Sequence, residues 1–208
     1  MLNYVKEVPM SKLLIIFVKN PKLGKVKSRL ALKIGAEKAL SVYKKLLQKT
    51  QEVVSKVRVN KKVCYSESID RNDLWVDQEY EKDVQQGDNL GERMHNAIAN
   101  ASKQYDQICL IGSDNMEITP EILSEAFDRM NDFDIVFGPS RDGGYYLVGM
   151  KKPVKTIFEG ICWSTPSVLK QSIDRAKELH MNYYLLPELN DIDQLEDIAD
   201  GDKVYLLS

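Results

Sequence analysis

The 208 residues carry 29 Lys plus Arg against 31 Asp plus Glu, a net charge of -2, and 43% of them are hydrophobic. A chain of this size can bury one sizeable α/β core, and its balanced charge removes the electrostatic case for a nucleic-acid partner. The longest apolar run, Leu13 to Val18, is far too short to cross a bilayer, so no membrane insertion is expected. Met1 to Pro9 lacks the apolar stretch of a signal peptide. Cys64, Cys109 and Cys162 form no CxxC pair and lie among apolar or aromatic neighbours, which reads as buried free thiols in a reducing, cytoplasmic setting.

In chain order, Leu13 to Val18 (LLIIFV) is a buried strand. Lys19 to Leu30 follows as a loop broken by Pro21 and Gly24 and carrying Lys19, Lys22, Lys25, Lys27 and Arg29. Ala36 to Val57 has helical apolar spacing with a Lys-rich outer face, and Lys62 to Ser66 is a short strand. Ile69 to Gln86 is polar and takes no assignment. Asp88 is placed to cap a helix from Asn89 to Lys103. Gln107 to Ile111 (QICLI) is a strand ending at Gly112-Ser113-Asp114. Thr119-Pro120 starts a helix that runs to Met130. Asp134 to Phe137 is a strand stopped by Gly138-Pro139, and Tyr145 to Met150 is another. Thr165-Pro166 starts a last long helix to about His180, Tyr183 to Leu186 is a strand, and Asp191 to Asp193 leads into a short acidic helix. Such alternation predicts one mostly parallel sheet with helices on both faces, whose ligands bind at the carboxyl ends of the strands. Residues 1–11 read as an N-terminal extension and 12–208 as a single domain.

Three segments at those strand ends can carry chemistry. KNPKLGKVKSRL offers backbone amides, Gly24 for close approach, and Lys25, Lys27 and Arg29 for phosphate, with a solvated basic surface as the alternative. Its spacing is neither a P-loop nor GxGxxG. Asp114 after the QICLI strand can bind Mg²⁺ or Mn²⁺, or simply cap the turn. Asp142 beside Gly143 and Gly144 has three candidate jobs: second metal ligand, general base for an acceptor hydroxyl, or hairpin former. Asp191 or Asp193 could also reach a metal. His95 and His180 read as partly exposed helical residues, no His/Cys spacing fits zinc, and no nucleophile elbow surrounds Ser113 or Ser140.

FVKNPKLGKVKSRL, GDNLGERM, LIGSDNMEITPEIL, FGPSRDGGYYLVGM, ICWSTPSVL and NDIDQLEDI, in that order, resemble the bacterial glycosyltransferase-like DUF2064 family, also called selenodomain-associated transferase 1. The resemblance runs from Lys12 to about Ile198 and implies the GT-A, nucleotide-diphospho-sugar transferase fold: a mostly parallel mixed sheet with helices on both faces. It also implies that Lys25, Lys27 and Arg29 hold nucleotide phosphates and that Asp114 binds metal. The wider nucleotide- and phosphate-binding set is Lys19, Gly24, Lys25, Lys27, Arg29, Gly91, Arg93 and Ser113. Asp193 is a candidate second metal ligand, Asp142 the catalytic candidate, and Gly143, Gly144, Tyr145 and Trp163 the acceptor side. One departure stands out: the family's Gly-Ser-Asp-x-Pro turn here reads Asn115-Met116 after Asp114, without the Pro.

The resemblance implies a class, a transferase, and not a reaction; the first reading is a glycosyltransferase that uses Mg²⁺ or Mn²⁺ and a nucleotide-sugar donor with a small-molecule acceptor. A nucleotidyltransferase acting on an NTP and a phosphorylated small molecule needs the same loop and Asp. A nucleotide-binding regulatory module is the non-enzymatic alternative, and a homo-oligomer is left open. Base, sugar and acceptor are not readable from the residues.

Overall fold

The computed structural model of the protein describes residues 10–208, so most of the segment read as an N-terminal extension, and the signal-peptide reading of Met1 to Pro9, lie outside the described residues. The strands are β1 (Lys12–Val18), β2 (Asn60–Tyr65), β3 (Glu81–Val84), β4 (Gln107–Ile111), β5 (Ile135–Pro139), β6 (Tyr145–Met150) and β7 (Tyr183–Leu185). They form one sheet in the order β3-β2-β1-β4-β6-β5-β7. All neighbours pair in parallel except β6, which runs antiparallel to both β4 and β5. The sheet is therefore mixed and mostly parallel, as expected.

β1 is apolar throughout because both of its faces are covered. Leu14, Ile16 and Val18 enter one core cluster, while Leu13, Ile15 and Phe17 enter the cluster on the other face. Burying each such side chain contributes about 1.5–3 kcal/mol, so one strand anchors both layers. Helices α2 (Ala36–Val54) and α4 (Pro120–Arg129) cover the first face, with Tyr43, Leu47, Leu123 and Phe127 buried. Helices α3 (Leu90–Ala101) and α5 (Val168–Glu178) cover the other, with Met94, Ile98 and Ala176 buried. Helix α1 (Ser28–Ile34), α2 and α6 (Asp200–Leu207) share a third cluster around Leu30, Leu46 and Leu206.

Several local expectations need correction. The basic loop ends at Lys27, so Arg29 and Leu30 already belong to α1. Asn89, not Asp88, caps α3: its side chain accepts from Glu92 N at 3.0 Å. The unassigned stretch contains β3 and two fully buried aromatics, Trp75 and Tyr80, in T-shaped contact. Its many polar residues mask them because they bond one another, as in the Lys82 pairs with Asp73 and Asp77 at 3.0 Å. Gly138-Pro139 does not stop β5 but continues it with a register shift. α5 begins at Val168 after Ser167, so Thr165-Pro166 belongs to the preceding loop; the short acidic helix expected after Asp193 is a 3-10 turn, Leu195–Asp197, and α6 is a further helix beyond it. Thr119 caps α4 as expected, accepting from Ile122 N at 3.3 Å. Cys64 and Cys109 are buried, but Cys162 is exposed because its segment is a surface loop and not a strand. His95 is partly exposed on α3, while His180 is exposed just beyond α5 with a left-handed φ of 53°.

Candidate active site

A cleft of about 490 Å³ opens where β1, β3 and β4 end and β6 begins. The antiparallel β6 matters here. Its first residues lie at the same edge as the last residues of β4, with Leu147 paired to Ile111. The turn before β6 thus brings Asp142 to the edge that carries Asp114, and both line the cleft.

Lys27 sits at the centre of the charge arrangement. It is the residue before α1 and adopts a left-handed backbone, φ 47° and ψ 47°. A non-glycine residue held there costs about 1–2 kcal/mol. Its side chain is only 4% exposed, and Nζ donates to Asp114 Oδ2 at 2.8 Å and Asp193 Oδ1 at 3.3 Å. Arg29 donates to the other Asp193 oxygen at 3.2 Å and is itself 61% exposed. Burial alone would lower the Lys27 pKa, but the two carboxylates outweigh it and hold the ammonium above its usual range. The reverse holds for Asp114: burial raises its carboxyl, and Lys27 brings it below the usual range.

Asp191 lies beside this pair and also lines the cleft. Its carboxylate accepts from Asn115 Nδ2 at 2.9 Å and Ser140 Oγ at 2.8 Å. Burial first, and then the negative charge of Asp114, push its pKa up to about 7. Asn115 explains how the turn after Asp114 dispenses with proline. Its Oδ1 accepts from Glu117 N and Ile118 N at 2.8 and 2.9 Å, which fixes the turn while its amide holds Asp191.

The oxygens of Asp114, Asp191 and Asp193 are the hard donors that Mg²⁺ or Mn²⁺ takes, so the donor chemistry fits such an ion. Among the described residues no group of three or more His, Cys, Asp or Glu is arranged around an ion position. In this conformation the Lys27 ammonium neutralises Asp114 and Asp193 instead.

The two ends of the cleft differ. At the β1 and β3 end, Lys19, Lys25, Lys27 and Arg29 line it together with Gln85. Tyr43 of α2 braces this loop, bonding the Lys19 amide at 2.8 Å and Ser113 Oγ at 3.2 Å. At the β6 end the lining includes Asp142, Gly144, Tyr145, Trp163, Ser164 and Thr165. Asp142 Oδ1 accepts from Gly144 N at 2.9 Å, so its carboxylate shapes the turn while its residue faces the cleft.

The expected residues divide accordingly. Lys19, Lys25, Lys27, Arg29, Ser113, Asp114, Asp142, Gly144, Tyr145, Trp163 and Asp193 line one cleft. Gly24, Gly91, Arg93 and Gly143 do not line it. Gly24 supplies a left-handed turn, φ 72°, and Arg93 donates to Gly87 O at 3.0 Å. Gly91 and Gly143 make room for protein and not for ligand. A Cβ on Gly91 would lie 2.7 Å from Trp163 Cζ2, and one on Gly143 would lie 2.1 Å from Pro166 O. Tyr43, Gln85 and Ser164 were not singled out in the sequence, since each is an ordinary residue whose place is set only by the tertiary fold.

The family model described as "Uncharacterized protein conserved in bacteria (DUF2064)" matches residues 49–165. The fold is similar to the crystal structure of a proposed nucleotide-diphospho-sugar transferase from Desulfovibrio desulfuricans G20, with 30% identity and a TM-score of 0.84, covering 94% of this chain and 87% of that one. It is similar in fold to the inositol-1-phosphate CTP transferase from T. maritima, at 16% identity and TM-score 0.62, covering 95% of both chains. It is also similar in fold to glucosyl-3-phosphoglycerate synthase from Mycobacterium tuberculosis in complex with Mg²⁺ and uridine-diphosphate. That likeness has 11% identity and a TM-score of 0.51 and covers 88% of this chain and 70% of that one. No curated protein matches the sequence. No helix among the described residues is long and apolar enough to cross a membrane.

Proposed function

The chain belongs to the DUF2064 family, and we propose that its domain, residues 12–208, is a cytoplasmic transferase that moves a sugar from a nucleotide-sugar donor to a small-molecule hydroxyl. The carrying observation is the one-sidedness of the cleft: all four cationic lining residues, Lys19, Lys25, Lys27 and Arg29, come from one segment at one end. One anionic group is provided for. Nucleotidyl transfer between an NTP and a phosphorylated acceptor brings two, and the second would meet Asp142 with no lining cation beside it.

In this reading Lys25 and Arg29 grip the donor phosphates, Arg29 through its planar fork. Lys27 lies between those phosphates and the Asp114–Asp193 pair, so it can share its charge with both. A divalent cation held by Asp114 with Asp193 would offset charge on the departing nucleoside diphosphate. Asp142 takes the proton from the acceptor hydroxyl as its oxygen bonds to the anomeric carbon and the sugar–phosphate bond breaks.

Thermal shifts with nucleoside diphosphates, nucleotide sugars and NTPs, each with and without Mn²⁺, test the reading. Nucleotide sugars and diphosphates are expected to stabilise most. Pyrophosphate released from an NTP in the presence of a phosphorylated acceptor would replace this reading with nucleotidyl transfer, and the absence of any nucleotide effect would reject both.

A further inference from the structure

We propose that the loop Cys162–Pro166, seated on Gly91 and Gly143, is the acceptor wall of the cleft and takes an uncharged, hydroxyl-bearing, carbohydrate-like ring against Trp163. This rests on the transferase reading above and names its acceptor class.

The first argument is charge. Tyr145, Trp163, Ser164, Thr165 and Val168 line this end, and Asp142 is the one charged residue among them. An anionic acceptor would be repelled there. A sugar ring suits the same surface: its C–H face packs on aromatic carbon, and its hydroxyls bond hydroxyl and carboxylate oxygens.

The second argument is rigidity. Trp163 is fixed from two sides. Its indole edge lies on Gly91 of α3, where a Cβ would fall 2.7 Å from Cζ2 and 2.6 Å from Phe158 O. Its ring meets Tyr145 edge-on, with centroids 6.4 Å apart and planes at 78°. The far end of the loop is fixed on Gly143, whose φ of 88° and missing side chain admit Pro166. Leu169 N donates to Gly143 O at 2.9 Å across the same joint. Cys162 N donates to Gln171 Oε1 of α5 at 2.9 Å, and within the loop Thr165 Oγ1 donates to Cys162 O at 2.6 Å. These ties impose a left-handed backbone on Ser164, φ 63°. Ser164 is exposed and lines the cleft. Strain of this kind persists where the surroundings over-determine it, and a loop so held offers a pre-organised surface.

The test is saturation-transfer NMR on the full chain with glucose, galactose and mannose, with the 6-phosphates of the same sugars, and with uridine. Wild type is compared with Trp163→Leu, Trp163→Phe and Gly143→Ala, and UDP, GDP and CDP affinities are measured on the same samples. Neutral sugars should bind, their 6-phosphates at least tenfold more weakly. Trp163→Leu should cut sugar affinity at least tenfold while nucleoside diphosphate affinity stays within twofold, and Trp163→Phe should restore most of the loss. Gly143→Ala should lose sugar binding in the same way, with a folded circular dichroism spectrum. Tighter binding of the 6-phosphates, no transfer to any sugar, or saturation of uridine lost in Trp163→Leu would each overturn the proposal. Sugar binding at Trp163 without any nucleoside diphosphate binding would reject the transferase reading and leave the wall standing.

Discussion

Replacing Asp191 by Asn should stabilise the protein at alkaline pH and leave it nearly unchanged at acid pH. The side chains are isosteric, and Asn can still accept from Asn115 and pair with Ser140, so the substitution removes a charge and little else. The folded protein holds the Asp191 proton until about pH 7, against an ordinary 3.8. Below about pH 4 the proton is bound in both folded and unfolded chains, and the favourable contribution is complete. Between about 4 and 7 only the unfolded chain releases it, so stability falls; above 7 the loss is full. That interval corresponds to about 4 kcal/mol as an upper bound, and solvent in the open cleft reduces it to about 1–3 kcal/mol. For a chain of this length about 2 kcal/mol is a rise in Tm of about 4–8 °C. Thermal melts at pH 4.5 and pH 8 measure it. Equal stabilisation at both pH values, or none at pH 8, would show that Asp191 is not forced to keep its proton.

Other substitutions separate the roles of the cleft residues. Asp114→Ala should abolish the Mn²⁺-dependent part of nucleotide binding in calorimetry while the fold survives; unchanged affinity with metal would sink that role. Arg29→Ala should weaken nucleoside diphosphate binding by about 1.5–3 kcal/mol without moving Tm, because the side chain is 61% exposed. An equal loss for the bare nucleoside would mean that Arg29 works through α1 and not through phosphate. Asp142→Asn keeps an oxygen for the Gly144 amide, so it should melt like wild type yet lose most turnover with the donor that stabilises the protein; near-normal turnover would reduce Asp142 to a turn residue.

What the sequence revealed followed the strength of local signals. LLIIFV and QICLI read as buried strands and are β1 and β4, and the candidates placed after them, Lys27 and Asp114, lie 2.8 Å apart at the cleft. Non-local signals failed. The polar residues of 69–86, among them Asp73, Asp77 and Lys82, leave that stretch without an assignment in sequence, although it contains the buried Trp75. Gly91 reads as a phosphate-binding residue and Gly143 as an acceptor-side one, because a missing side chain looks the same in sequence whether a ligand or, as here, Trp163 and Pro166 fill the gap. Asp191 and Asp193, two residues apart, gave no hint that one would share a lysine and the other keep its proton. That difference comes from burial and the charge of Asp114 at Asp191, and from Lys27 at Asp193, groups distant in sequence and adjacent only in the fold.

The lysine and its two carboxylates are 87 and 166 positions apart along the chain. During synthesis the chain leaves the ribosome with Lys27 long before Asp193, and an ammonium of this kind has no reason to enter the interior alone. Asp114 can reach the ammonium once β4 is made, but the set of three closes only with Asp193, which follows the last strand, a late, long-range event in folding. Competence to bind should therefore arrive in a single step with the last strand, and partly made or clipped chains should be silent rather than weakly active.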